Sequence, residues 1–172
     1  MTLPVARYRR GVEPPPPFVP DSFELPQGLV SARFVLEPLG PQHNEADYQA
    51  WSSSMTHIRG TPGFVGLSWP HAMSLAENLR DLEQHARDFE GRLGFTYTVL
   101  DPGDGDVIGC VYIYPVGVDD AGSAADTDTH DASVRSWVRA DQAQLDEPLW
   151  IAVCDWLQQE WPFEHVAYAA RS

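Results

Sequence analysis

Phe95-Thr96-Tyr97-Thr98-Val99-Leu100, Val107-Ile108-Gly109-Cys110-Val111-Tyr112-Ile113-Tyr114 and Ala132-Ser133-Val134-Arg135-Ser136-Trp137-Val138-Arg139 are three strand-like runs, followed by a helical pattern over 146–161. The first alternates Phe95, Tyr97 and Val99 against Thr96 and Thr98, the period-2 signature of a strand with one buried face. The second is nearly continuous in apolar residues, which suits a central strand. Between them, Asp101-Pro102-Gly103-Asp104-Gly105-Asp106 carries the Pro, Gly and Asp of a tight turn, so the two runs read as antiparallel neighbours. In the third run Ala132, Val134, Ser136 and Val138 share one face, and Ser133, Arg135, Trp137 and Arg139 the other. Leu149, Val153, Trp156 and Leu157 then recur on one face of a helix.

Upstream, Val30, Ala32, Phe34 and Leu36 alternate with Ser31, Arg33 and Glu37, which predicts one strand from Leu29 to the stop at Pro38 and Gly40-Pro41. Gln42 to Ser54 reads as a helix burying Ala46, Tyr48, Ala50 and Trp51, and His57 to Trp69 as a loop punctuated by Gly60, Pro62, Gly63 and Gly66. His71 to Glu90 is a clearer helix, with Leu75, Leu79, Leu82, Ala86 and Phe89 drawing one stripe and Ser74 and Glu77 at capping-box spacing. Downstream, His165 to Ala169 is a last short strand, and 115–131 is a solvated acidic loop. Six of the first twenty residues are Pro, so residues 1–28 read as an extended arm, and residues 29–172 as one domain. Phe18, Phe23 and Leu25 are its anchors; a loose tail and an arm covering a groove or a neighbouring subunit both remain open.

Composition narrows the function. A chain of 172 residues with 43% hydrophobic residues builds one sizeable core. With 25 acidic against 11 basic residues the formal charge is −14, which disfavours nucleic acid as a partner. Every basic residue is Arg, so Schiff-base chemistry and a lysine-type phosphate loop are excluded. No run is apolar enough for a membrane span, and no signal core follows the early arginines, so the expected location is cytoplasmic. Cys110 and Cys154 read as core thiols. Histidines at 43, 57, 71 and 85 share a constant spacing without a repeating context, and Asp126 to Asp131 lacks the Gly and Glu of a calcium loop, so no metal is expected.

The order strand, helix, helix, three antiparallel strands, helix, strand resembles the GCN5-related N-acetyltransferases, the GNAT family, over roughly residues 29–170. Phe34-Val35-Leu36-Glu37-Pro38-Leu39 resembles the family's opening strand, Val107-Ile108-Gly109 the strand beginning x-Ile-Gly, and Trp137-Val138-Arg139 the strand end that pairs with the pantetheine arm. The resemblance implies an α/β fold of α+β type, a mixed, mainly antiparallel sheet flanked by helices. It further implies acetyl-CoA or another acyl-CoA as cofactor, held by Trp137, Val138, Arg139, Gln142, Ala143 and Gln144, and a small amine as acceptor. His57, Trp69, Tyr112 and Arg135 are the expected acceptor-pocket residues, and Tyr114 and Asp131 the candidate acid or base groups.

Three departures stand beside the resemblance. Where the family has a Gly-rich pyrophosphate loop, this chain reads Gln142-Ala143-Gln144-Leu145-Asp146-Glu147-Pro148, with no glycine after Gly122. Asp146 and Glu147 place their own carboxylates in the first helical turn. Ser133 stands where many members carry a catalytic Glu, and the chain ends before the family's last helix and strands. Two functional readings follow: an acyl-CoA-dependent N-acyltransferase, or a catalytically inactive GNAT-like binding or protein-interaction module that does not use acyl-CoA. The unpaired edge of the last strand adds the expectation of a homodimer.

Overall fold

Asp101 closes the central hairpin with its own side chain: Oδ1 accepts from Gly103 N at 2.7 Å and from Asp104 N at 3.3 Å. Gly105, at φ 78°, turns the chain into the left-handed region where a Cβ is strained. The computed structural model to which this hairpin belongs describes residues 17–117 and 131–172. Its elements run β1 (Leu29–Val30), β2 (Val35–Pro38), α1 (Asn44–Ser52), α2 (Met55–Gly60), α3 (Leu75–Glu90), β3 (Phe95–Leu100), β4 (Val107–Pro115), β5 (Ala132–Val138), α4 (Asp146–Glu160) and β6 (Val166–Tyr168), with 3-10 turns at Pro41–His43 and Ala140–Leu145.

The strands form one sheet in chain order, β1-β2-β3-β4-β5-β6, antiparallel except for the parallel pair β5·β6. This is the expected mixed, mainly antiparallel sheet flanked by helices. At Gly109 the β3·β4 register shifts, pairing Val99 with Gly109 but Leu100 with Val107. The alternation changes phase there, so Val107, Cys110 and Tyr112 face one side while Ile108, Val111 and Ile113 face the other. That phase change is why the run reads as continuously apolar.

Each face carries its own core. On one, Phe95, Tyr97, Val99, Ile113, Val134 and Val138 pack with Leu149, Val153, Trp156 and Leu157 of α4. On the other, Trp137 and Cys110 pack with Ala50 and Trp51 of α1, Ile58 of α2, Phe64 and Leu82 of α3. Fully burying side chains of this size stabilises the fold by about 1.5–3 kcal/mol apiece. The capping box of α3 forms as its spacing requires: Ser74 Oγ accepts from Glu77 N at 3.1 Å, and Glu77 Oε2 accepts from Ser74 N at 2.7 Å.

Three upstream expectations are corrected: in α1 Ala46 is exposed and Asp47 is buried in its stead, and two element assignments change. The run from Leu29 is a hairpin rather than one strand, because Ser31 Oγ accepts from Phe34 N at 3.1 Å and folds residues 31–34 into a turn. Val30 is consequently exposed rather than on a core face. Part of the expected 57–69 loop is helical, as α2.

Residues 17–28 lie on the α4 face of the sheet. Phe18 stacks on Phe95 and Phe163, and Val19 is buried in the core. Arg92 Nη2 donates to the carbonyls of Pro20 and Phe23, each at 2.7 Å, and Tyr97 OH donates to Pro26 O at 2.6 Å. The anchoring by Phe18, Phe23 and Leu25 is therefore real for this part of the arm. The acidic residues Asp119, Asp120, Asp126 and Asp128 lie outside the described residues.

Candidate ligand cleft

β5 pairs with β4 along its whole length, Ala132 opposite Pro115 through Val138 opposite Gly109, but with β6 only over Ala132 to Val134. Asp131 fixes the paired end. Its N donates to His165 O at 2.8 Å, and its Oδ2 accepts from Glu164 N at 2.8 Å and His165 N at 2.9 Å. Past Val134 and Tyr168 the ladder stops, so β5 has no strand partner on that side beyond Val134.

Two side chains meet that edge. Tyr168 OH lies 2.5 Å from Ser136 Oγ, and burial pushes its phenol above the ordinary tyrosine range. Arg171, only 9% exposed, lays its guanidinium against Ser136 on that unpaired edge. Nη2 donates to Ser136 O at 2.9 Å and Nη1 to Ala169 O at 2.8 Å and Pro62 O at 3.3 Å. Nε and Nη2 hold the Asp146 carboxylate at 2.7 and 3.2 Å. This bidentate fork joins the end of the sheet to the first residue of α4.

The α4 start is also shaped by its own chain. Ala140 N donates to Ser54 Oγ at 2.9 Å and Gln142 N to Arg139 O at 2.9 Å, so both amides are already satisfied. Arg139 is engaged by Asp141 and Val107 O, and Gln144 Nε2 donates to Gln142 Oε1 at 3.1 Å. Ala143 and Gln144 are exposed. Beside this turn, Ser52–His57 and Ala140 line an open depression of about 470 Å³. His57 Nε2 is buried there without a hydrogen-bond partner.

Most of the remaining sequence candidates lie on the sheet's other face, away from α4. Trp69 packs on Trp51, Phe64, Tyr112 and Trp137, and Trp137 Nε1 donates to Tyr112 OH at 3.0 Å. Arg135 lies against Gly63. Tyr114 OH donates to Asp88 Oδ2 at 2.9 Å and lies 2.9 Å from His85 Nδ1, which also contacts Thr96 Oγ1 at 3.0 Å. Burial holds the His85 imidazole down at about 4 and pushes the Tyr114 phenol up. Val138 faces α4 in the core.

The structure thus joins Trp69, Tyr112 and Trp137 in one aromatic cluster and sets Arg139 with 142–144 at the α4 start. His57, Tyr114 and Asp131 stand in separate surroundings. Sequence reading missed Tyr168, Arg171 and Ser136 as cleft residues. Their contacts span 25 to 109 residues along the chain, except for Arg171 with Ala169, so no local motif marks them.

The sequence matches no protein-family model and no curated protein. Solved structures do match. Ribosomal-protein-S5-alanine acetyltransferase from Vibrio fischeri superposes with a TM-score of 0.54 at 13% identity, over 76% of this chain and 66% of that one. The microcin C7 self-immunity acetyltransferase MccE, solved with acetyl-CoA and AMP, gives 0.53 at 14% identity, over 78% and 67%. Mycobacterium smegmatis RimJ, solved with CoA-disulfide, gives 0.50 at 13% identity, over 80% and 62%. The chain spans about two thirds of the length of these neighbours. Likeness at this identity establishes architecture: the protein has the fold of the GNAT acetyltransferases, in a divergent form.

Proposed function

We propose that this chain is a GNAT-fold acyltransferase that uses acyl-CoA at the β5/β6 cleft and acts on a small amine. The observation that carries the reading is the end of the parallel ladder at Val134 and Tyr168, beyond which the Ser136 carbonyl is met by the Arg171 side chain and not by a strand. A strand edge of this kind suits an amide-bearing arm, through the backbone of Ser136 and Val138, while the Trp137 carbonyl faces β4. Acyl-CoA, when bound, supplies an activated thioester. Tyr168 carries a hydroxyl that can hold a proton near that edge, while Tyr114 is engaged by Asp88 and Asp131 by the backbone of Glu164 and His165 just before β6. Trp69, Tyr112 and Arg135 bound the acceptor side in this reading, with His57 as the further acceptor-pocket candidate at the depression. The start of α4 fits a diphosphate poorly as it stands, because Asp146 and Glu147 carry negative charge where the helix dipole would favour the ligand's.

One observation favours a second reading, a GNAT-like binding module that does not use acyl-CoA: Arg171 and Asp146 occupy the cleft themselves. Calorimetric titration with acetyl-CoA, followed by a thiol-release assay over a panel of small amines, separates the two. Saturable heat at tens of micromolar ligand and amine-dependent release support the transferase. Absence of both, including for the opened variant described below, leaves the binding module.

The reading extends to surroundings. Among the described residues no helix is long and apolar enough to cross a membrane, and Cys110 and Cys154 are free thiols, which agrees with a cytoplasmic setting. The strongly acidic charge argues against a nucleic-acid partner. β6 is an edge strand, and we expect it to pair with a second copy. Sedimentation should report a homodimer at micromolar concentration; a monomer without concentration dependence would remove this part.

A further inference from the structure

We infer that Arg171 and Asp146 form a clasp that decides what the β5/β6 cleft admits: closed, it excludes acyl-CoA, and the cofactor binds only after the clasp has opened. The identity of the ligand rests on the function proposed above; the clasp itself rests on geometry alone.

Two positions are involved. The first is the β5 edge. The Ser136 carbonyl, which an incoming amide would need, already accepts from Arg171 Nη2 at 2.9 Å. The carbonyl oxygen keeps a second lone pair, so the obstacle is the guanidinium itself, which lies against the edge at hydrogen-bond distance. The second is the start of α4. There Asp146 holds Arg171 through both oxygens and places a carboxylate where a phosphate would bind. Both side chains are withdrawn from solvent, at 4% and 18% side-chain exposure, so the pair is not a screened surface contact.

The remaining guanidinium contacts explain why the closed state persists. Nη1 donates to Pro62 O and Ala169 O, tying the loop after α2 and the segment after β6 to the same point. Tyr168 adds its own bond to Ser136 Oγ. Beyond the end of the ladder at Val134 and Tyr168, side chains two to three residues later therefore continue the contact between the two segments. Opening has to release those contacts together, which makes a two-position switch rather than a gradual widening.

Removal of one partner is unequal to removal of both. Arg171→Met frees the β5 edge but leaves a bare carboxylate facing the ligand. Asp146→Asn removes the charge but leaves the guanidinium across the edge, held by carbonyls alone. The double variant Asp146→Asn/Arg171→Met frees both positions. It should bind acetyl-CoA at least tenfold more tightly than the wild type and more tightly than either single variant.

A ligand-free measurement keeps the clasp testable on its own. Amide hydrogen exchange over 166–171 should be at least tenfold faster in Asp146→Asn than in the wild type, with the β3·β4 amides unchanged as a check on folding. Unchanged exchange over 166–171 overturns the clasp. So does an affinity in the double variant no higher than that of a wild type which binds acetyl-CoA. If exchange responds as expected while no variant binds acetyl-CoA, the clasp stands and the acyl-CoA reading falls.

Discussion

Gly109→Ala should lower stability by ~3 kcal/mol, the upper end of the usual overpacking cost. A Cβ at this position would sit 2.0 Å from Trp137 O, 3.0 Å from Trp137 C and 3.1 Å from Val138 Cα. All three are backbone atoms of β5, so no rotamer change relieves the clash. The strands would have to separate at the register shift, where β4 changes phase between the two cores. For a chain of this size each kcal/mol corresponds to about 2–4 °C, so thermal unfolding should fall by roughly 6–12 °C. Gly60→Ala provides the comparison, because nothing lies within 4 Å of the added Cβ. It should change stability by less than about 0.5 kcal/mol. Equal melting of the two variants would contradict the close β4·β5 approach.

The second large effect is a pH-dependent gain from Asp47→Asn. Asp47 is buried, and desolvation raises its carboxyl to about 6 despite the bond from Asn78 Nδ2 at 3.1 Å and the favourable field of His43; Asp81 adds repulsion. Above pH 6 the folded protein carries this charge at a cost of about 3 kcal/mol relative to the unfolded chain. Between pH 6 and 3.8 the folded state binds the proton first, and the cost disappears. The amide variant should therefore be more stable by about 2–3 kcal/mol at pH 7.5, with the difference shrinking towards zero near pH 4. Urea unfolding at several pH values measures it. A difference that stays constant with pH would show that Asp47 is not the titrating group.

His85 acts in the opposite sense. Its folded pKa of about 4 lies below the ordinary 6.5, so stability is complete above pH 6.5 and falls as the unfolded chain takes up the proton on the way to 4. The two buried groups thus offset one another over the same window in the wild type. Asp47→Asn exposes the His85 contribution, and the variant's acid limb should be the steeper one.

The parts of the fold visible in the sequence are those governed by periodicity. Alternation located β3 and β5, an apolar run located β4, and recurrent Leu and Trp located α3 and α4, because an element whose faces meet different surroundings writes that difference into its spacing; in β3 both faces are buried, one apolar and one lined by Thr96 and Thr98. The β1–β2 hairpin was hidden because Val30, Ala32, Phe34 and Leu36 alternate as a strand would, while the deciding contact is a serine hydroxyl on a backbone N–H. α2 was hidden behind Gly60, Pro62, Gly63 and Gly66, which suggested a loop throughout. Its Ser54 makes no side-chain cap bond either, so no start signal existed to be read.

The candidate site was legible only in part, for a related reason. Trp137 and Val138 were placed by strand pattern, and the acidic α4 start by simple reading of Asp146 and Glu147. Arg171 meets Asp146 and Ser136 only because the parallel strand β6 returns beside β5, a tertiary event without a local signature. Reading Asp146 as a helix supplying its own anion therefore captured half of an ion pair. The partner changes its meaning: the charge is held by Arg171, the contact from which the proposed clasp is built.

Hydrogen exchange mapped on Asp146→Asn/Arg171→Met with and without acetyl-CoA tests the central claim most directly. Ligand should slow exchange over 135–138 and 140–146, the β5 edge and the turn into α4. Protection confined to the depression at Ser52–His57, or no protection anywhere in a folded variant, would contradict the unpaired β5 edge as the ligand cleft.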